Sequence, residues 1–169
     1  MKNILIAISL MLALGALPAS SQTGLKRVYD ENIDPMSQID HALVKAAAEG
    51  KFVVCQVGGN WCQWCLRFAD FAERDTAVSK VIDENFELIH VNYNPRKAKE
   101  APQLQHSATL MERLGNPARF GFPVFVVLGQ DGQVIHIQDS SFLEEGKGYD
   151  KEKVLRFFNN WTPKAVNKQ

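Results

Sequence analysis

Two hydrophobic periods alternate along this 169-residue chain. Behind Asp34-Pro35, a capping side chain followed by a proline at a first helical position, Met36, Ile39, Leu43 and Ala46/Ala47 recur at helical spacing until Gly50 stops them. Phe52 to Val57 is a short, mostly apolar run of strand length. A turn containing Gly58 and Gly59 follows, then a helix opening at Cys62 with apolar positions from Leu66 to Ala72. Val78, Val81 and Ile82 mark a second helical segment over Thr76 to Glu84, and Phe86 to Asn92 is the next strand. Leu104, Met111 and Leu114 predict a helix that stops near Gly115-Asn116-Pro117. Val124 to Leu128 is a buried strand, Gly129-Gln130-Asp131-Gly132 a turn, and Val134 to Ile137 the returning arm of a hairpin. Gly146 and Gly148 mark a loop. Asp150 caps a last helix striped by Val154, Leu155, Phe158 and Trp161, which Thr162-Pro163 ends. Thr23 to Asn32 carries little period, so Leu25, Val28 and Tyr29 either form a short strand or simply pack.

The resulting order is helix, strand, helix, strand, helix, strand, strand, helix. It predicts an α/β domain with a mixed central sheet. The length suits one domain with a proper core, without internal repeats or low-complexity tracts. Met1-Lys2-Asn3, the apolar run Ile4 to Leu17 and the small residues Pro18-Ala19-Ser20-Ser21 have the form of a secretory signal peptide, cleaved after Ala19 or Ser21. An uncleaved anchor is the alternative, although the apolar stretch is short for a membrane span. The expected organisation is a signal peptide over 1–21, a lead-in segment over 22–34, one domain over 35–163 and a tail over 164–169. The expected localisation is export, to a bacterial periplasm.

Lys and Arg number 19, as do Asp and Glu, and loss of residues 1–21 removes Lys2 alone. A chain so close to neutral has no global attraction for nucleic acid or acidic lipid, and neither is expected as a partner. Arg96, Lys97 and Lys99 are read as a solvated loop. The three cysteines, Cys55, Cys62 and Cys65, are too few for a disulfide scaffold. Cys62 and Cys65 stand three apart on a helix's first turn, close enough to bridge. The free amides and positive dipole end of that turn favour a thiolate at Cys62, the reactive form of the group. An exported pair of this kind is a dithiol/disulfide site, and needs neither metal nor organic cofactor.

Trp61-Cys62-Gln63-Trp64-Cys65 after the first core strand, with Phe122-Pro123 before the hairpin, resembles the thioredoxin superfamily over roughly Pro35 to Trp161. The Gly-Asn-Trp-Cys-x-Trp-Cys signature looks most like that of exported bacterial thioredoxin-like proteins. The resemblance implies a mixed sheet flanked by helices on both faces. It also implies that Cys62 is an exposed nucleophile and Cys65 the deeper resolving thiol. Pro123 would be a cis-proline beside them, Phe122 would offer its backbone to an extended partner segment, and Trp61 would shield the site and touch the partner. The implied activity is a thiol–disulfide oxidoreductase acting on protein thiols and disulfides, as a monomer. The reductase direction is favoured over the oxidase and isomerase ones, with a membrane-side electron donor resetting the pair.

One departure stands out. Thioredoxins proper carry a buried aspartate six residues before the first cysteine, and Gln56 holds that place here. An amide cannot take the resolving thiol's proton, so water or another group must, and His90 is a candidate by position. Cys55 reads as a small core hydrophobe, with a Cys55–Cys62 bridge as the alternative. Two other functions are open. In one, the fold serves as a non-catalytic peptide-binding module with a static Cys62–Cys65 bridge, although so short a loop gains little from one. Metal binding would need ligands that the singly placed His41, His90, His106 and His136 do not group to supply.

Overall fold

The structure, a computed structural model, describes residues 24–100 and 103–167. The expected signal peptide, 1–21, lies outside the described residues. Among those described, no helix is long and apolar enough to cross a membrane.

Helix α1 (Pro35–Ala48) starts where Asp34 accepts hydrogen bonds from the Met36 and Ser37 amides, and Gly50, at φ +69°, turns the chain out of it. Strand β1 (Phe52–Gly58) is buried along its whole length. Helix α2 (Gln63–Arg74) has Cys62 as its N-cap residue. Asp75 ends α2 and, by accepting from the Ala77 and Val78 amides, begins α3 (Thr76–Asn85). Strand β2 (Phe86–Asn92) follows, then α4 (Gln103–Arg113), β3 (Val124–Leu128) and β4 (Val134–Asp139). These four strands form one sheet in the order β2-β1-β3-β4, with β1 parallel to β2 and antiparallel to β3.

Alternation along β1 divides the core into two layers. Phe52 and Val54 face α2, α3 and the later helix α5 (Lys151–Asn160), among Phe68, Val78, Phe125 and Phe158. Val53, Cys55 and Val57 face α1 and α4, among Ile39, Leu110 and Leu114. The mixed sheet with helices on both faces is therefore the expected fold. Phe68 anchors α2 on the sheet, its ring 4.4 Å from that of Phe125, and full burial of such a side chain contributes about 1.5–3 kcal/mol.

Two segments differ from the sequence reading, and at a third the structure decides between its alternatives. The glycine-marked loop near 146–148 contains a ribbon of two very short strands, β5 (Glu144–Glu145) and β6 (Gly148–Tyr149). Thr162-Pro163 follows the end of α5 but also opens a further turn, α6 (Pro163–Val166), capped by the Thr162 hydroxyl. Over its described residues, 24–34, the lead-in forms no strand; it packs, and Tyr29 is buried with 4% of its surface exposed.

Candidate functional site

Cys62 and Cys65 form a disulfide at the start of α2, with Cα atoms 5.3 Å apart. The Cys62 sulfur accepts a hydrogen bond from the Cys65 amide at 3.2 Å, occupying one of the donors that a helix start leaves free. The same amides and dipole are placed to hold negative charge on Cys62 once the bond opens. Cys65 is fully buried. Cys62, expected to be exposed, retains only 6% exposure. Tyr29, Phe122 and Trp64 pack around the pair and account for that cover.

The remaining residues singled out by sequence gather at the same end of the sheet. The Phe122–Pro123 bond is cis. The Phe122 ring meets Trp61 edge-on at 5.4 Å and lies 5.7 Å from Tyr93. Trp61 is 48% exposed, and its indole N–H donates to the Tyr93 carbonyl at 3.2 Å. Trp61, Phe122 and Tyr93 thus form a partly open aromatic rim beside a covered disulfide. Behind it, Trp64 stacks edge-on with Tyr149 of β6, whose hydroxyl donates to the Trp64 carbonyl at 3.1 Å.

Gly58 and Gly59 are required here by close approach. A Cβ at Gly58 would stand 2.4 Å from the Cys65 sulfur and 3.0 Å from the Tyr29 hydroxyl; one at Gly59 would stand 2.4 Å from the Trp61 indole nitrogen. The alternative bridge, Cys55 to Cys62, is ruled out by the strand's own pleat. Cys55 points into the α1/α4 layer, on the far side of the sheet from α2, and burial pushes its thiol up to about 12. Arg96, Lys97 and Lys99 are exposed. Among the described residues, no three His, Cys, Asp or Glu side chains converge as a metal-ligand set.

Beneath the disulfide lies a polar pocket of side chains. Gln56, fully buried, donates through its amide to the Cys65 carbonyl at 2.8 Å. His90 stands directly across from Gln56 in the β1–β2 register, and the Tyr29 ring lies 5.3 Å from the His90 ring. Burial, and to a lesser degree the charge of Lys26, lowers His90 to about 4. Unfolded, the ring would titrate near 6.5, so the unfolded chain binds more protons between these values and stability falls as pH drops from 6.5 toward 4. Replacing His90 with Gln is expected to remove a loss on the order of 2 kcal/mol over that window. Thermal midpoints of both proteins at pH 7 and pH 4.5 check it, and equal acid losses would contradict it.

Two residues here had no role in the sequence reading. The Asn60 side chain holds the Tyr29 backbone at both groups, donating to its carbonyl at 2.7 Å and accepting from its amide at 3.2 Å. Asn60 stands within the cysteine motif, but Tyr29 lies 31 residues upstream in a stretch without period, and only the fold joins them.

The family described as Thioredox_DsbH, Protein of unknown function, DUF255, matches residues 16–162. The chain belongs to this family. Curated proteins yield no match. Among solved structures, this Thioredox_DsbH member is similar to a disulphide isomerase from Xylella fastidiosa Temecula1, with a TM-score of 0.65 and 23% identity over 81% of this chain and 98% of that one. It is also similar to a thioredoxin from Thermus thermophilus, with a TM-score of 0.50 and 19% identity over 72% of this chain and 81% of that one. At these identities the likeness is one of fold, and the fold is thioredoxin-like.

Proposed function

We propose that the protein is an exported thiol–disulfide oxidoreductase, working in the reductase direction on protein disulfides. The observation that carries this reading is the Cys62–Cys65 bridge on the first turn of α2, with the outer sulfur at the N-cap, the inner one buried, and Phe122, the residue before the cis peptide bond to Pro123, packed alongside. In the reduced protein, the Cys62 thiolate attacks one sulfur of a partner disulfide. A Cys62–partner bond forms, and the partner's other sulfur leaves as a thiolate that takes up a proton. Cys65 loses its proton and attacks Cys62, releasing the partner's second thiol and regenerating the Cys62–Cys65 bridge. Two electrons have then moved to the partner, and a donor, proposed to lie at the membrane, must return two to the pair.

Trp61, Phe122 and Pro123 are the proposed partner contacts. The Phe122 backbone offers an edge to an extended segment, and the aromatic rim offers apolar area. Gly59-Asn60-Trp61-Cys62-Gln63-Trp64-Cys65 is taken as the mark of an exported subgroup, and the charged, apolar and small-residue order of 1–21 supports a periplasmic address. The proposed working form is a monomer.

A second reading, a peptide-binding module with a static bridge, is favoured by one observation: Cys62 is 6% exposed. Insulin reduction separates the two. With dithiothreitol as donor, the oxidoreductase precipitates insulin well ahead of donor alone; a module leaves the rate at the donor's own level.

A further inference from the structure

The site described above has an answer to the missing buried acid, and it comes from outside the cysteine motif. We infer that the Tyr29 hydroxyl is the hydrogen-bond donor that receives the Cys65 sulfur when the disulfide opens, so that Tyr29 stabilises the reduced form and lowers the cost of ionising the resolving thiol. The inference rests on the proposed exchange reaction and adds a residue to it.

Four observations carry it. Tyr29 is buried to 4% exposure and packs with Cys62 and Cys65 as one cluster. Its hydroxyl and the Cys65 sulfur both lie within 3.0 Å of the single point where a Cβ on Gly58 would stand, so the two atoms border the same small space that glycine leaves. In the oxidised state the hydroxyl has no hydrogen-bond partner among the described residues, and neither does the Gln56 side-chain oxygen, although the Gln56 amide is the polar group beside it. Finally, the Asn60 side chain fixes the Tyr29 backbone at both its amide and its carbonyl.

The chemistry follows from what each sulfur can accept. A disulfide sulfur is a weak acceptor, and a buried hydroxyl beside it goes largely unrewarded. Reduction leaves Cys65 as a thiol that must ionise to attack, and a thiolate takes a charge-assisted hydrogen bond of about twice the ordinary strength. Burial holds the Tyr29 phenol far above the ordinary tyrosine range, so it stays protonated and serves as a donor, never as the base. Gln56 and Tyr29 together differ from a carboxylate in this respect. A buried carboxylate removes the resolving proton; the phenol steadies the charge left after the proton has gone to water or to the departing thiolate.

The test is the equilibrium of the Cys62–Cys65 pair with glutathione, in which two glutathione thiols reduce the bridge to a dithiol and leave as oxidised glutathione. It needs no partner protein and no turnover. Absent insulin reduction by the wild type would therefore overturn the oxidoreductase reading, while this measurement judges Tyr29 alone. Tyr29→Phe keeps the ring and removes the donor. The expected result is a shift toward the disulfide of about tenfold, with the oxidised form as stable to urea as wild type or more so. Asn60→Ala, which frees both backbone groups of Tyr29, shifts the equilibrium the same way. An unchanged equilibrium in Tyr29→Phe, a shift toward the dithiol, or an equal loss of stability in both redox forms would overturn the inference.

Discussion

Replacing Cys65 by serine is expected to turn a protein that cycles into one that stays bonded to its partner. The first attack needs only Cys62, so a Cys62–partner disulfide still forms. Its resolution needs a second sulfur held next to the first, and the 5.3 Å Cα separation on one helical turn supplies it. Holding two reacting groups together in this way is worth many orders of magnitude in effective concentration, so turnover should fall by at least about a hundredfold when one of them is removed. The adduct should appear as a band of added mass on a non-reducing gel and vanish with dithiothreitol. Cys62→Ser, which removes the attacking atom, should give neither adduct nor turnover. A Cys65→Ser protein that reduced insulin at the wild-type rate would sink the two-sulfur mechanism.

Gly58→Ala carries the next largest expected effect. The new methyl would stand 2.4 Å from the Cys65 sulfur, closer than packed atoms tolerate. In the oxidised protein that sulfur is tethered to Cys62, on a helix anchored by Phe68, and it has nowhere to turn. In the reduced protein it can rotate. Overpacking of this kind costs about 1–3 kcal/mol, and here it should fall mainly on the oxidised form. Urea midpoints should drop for oxidised Gly58→Ala and much less for the reduced variant, and the glutathione balance should move toward the dithiol. That direction is opposite to the one expected for Tyr29→Phe. An oxidised variant as stable as wild type would contradict the close contact.

What could be read from the residues alone follows physical range. Helices α1 and α5 were legible because a capping aspartate precedes a stripe at helical spacing, and the side chains of Asp34 and Asp150 do accept those amides. Strands β1 and β3 were legible because they are buried on both faces and so read as continuous apolar runs. The ribbon of β5 and β6 was not, since two residues per strand cannot display a period of two. Yet it carries Tyr149, which braces the first turn of α2. The cover over Cys62 was missed for a similar reason. It is assembled from Tyr29, Trp64 and Phe122, three residues far apart in sequence, and no local pattern announces such a meeting. Gln56 was identified as a departure from the thioredoxin pattern, but its consequence depends on a phenol brought in by a segment without periodicity.

The pleat of β1 also has a consequence for how the protein survives where it is expected to work. The sheet is a partition between a lone sulfur that never meets an oxidant and a pair that meets one at every cycle. Scrambling among three cysteines, a common fate of odd thiol counts in oxidising surroundings, is thereby prevented by the pleat that turns Cys55 into the α1/α4 layer while Cys62 and Cys65 stand at the start of α2. A native sample quenched with an alkylating agent should therefore gain one label when reduced, on Cys62, and none when oxidised, with Cys55 labelled only after unfolding.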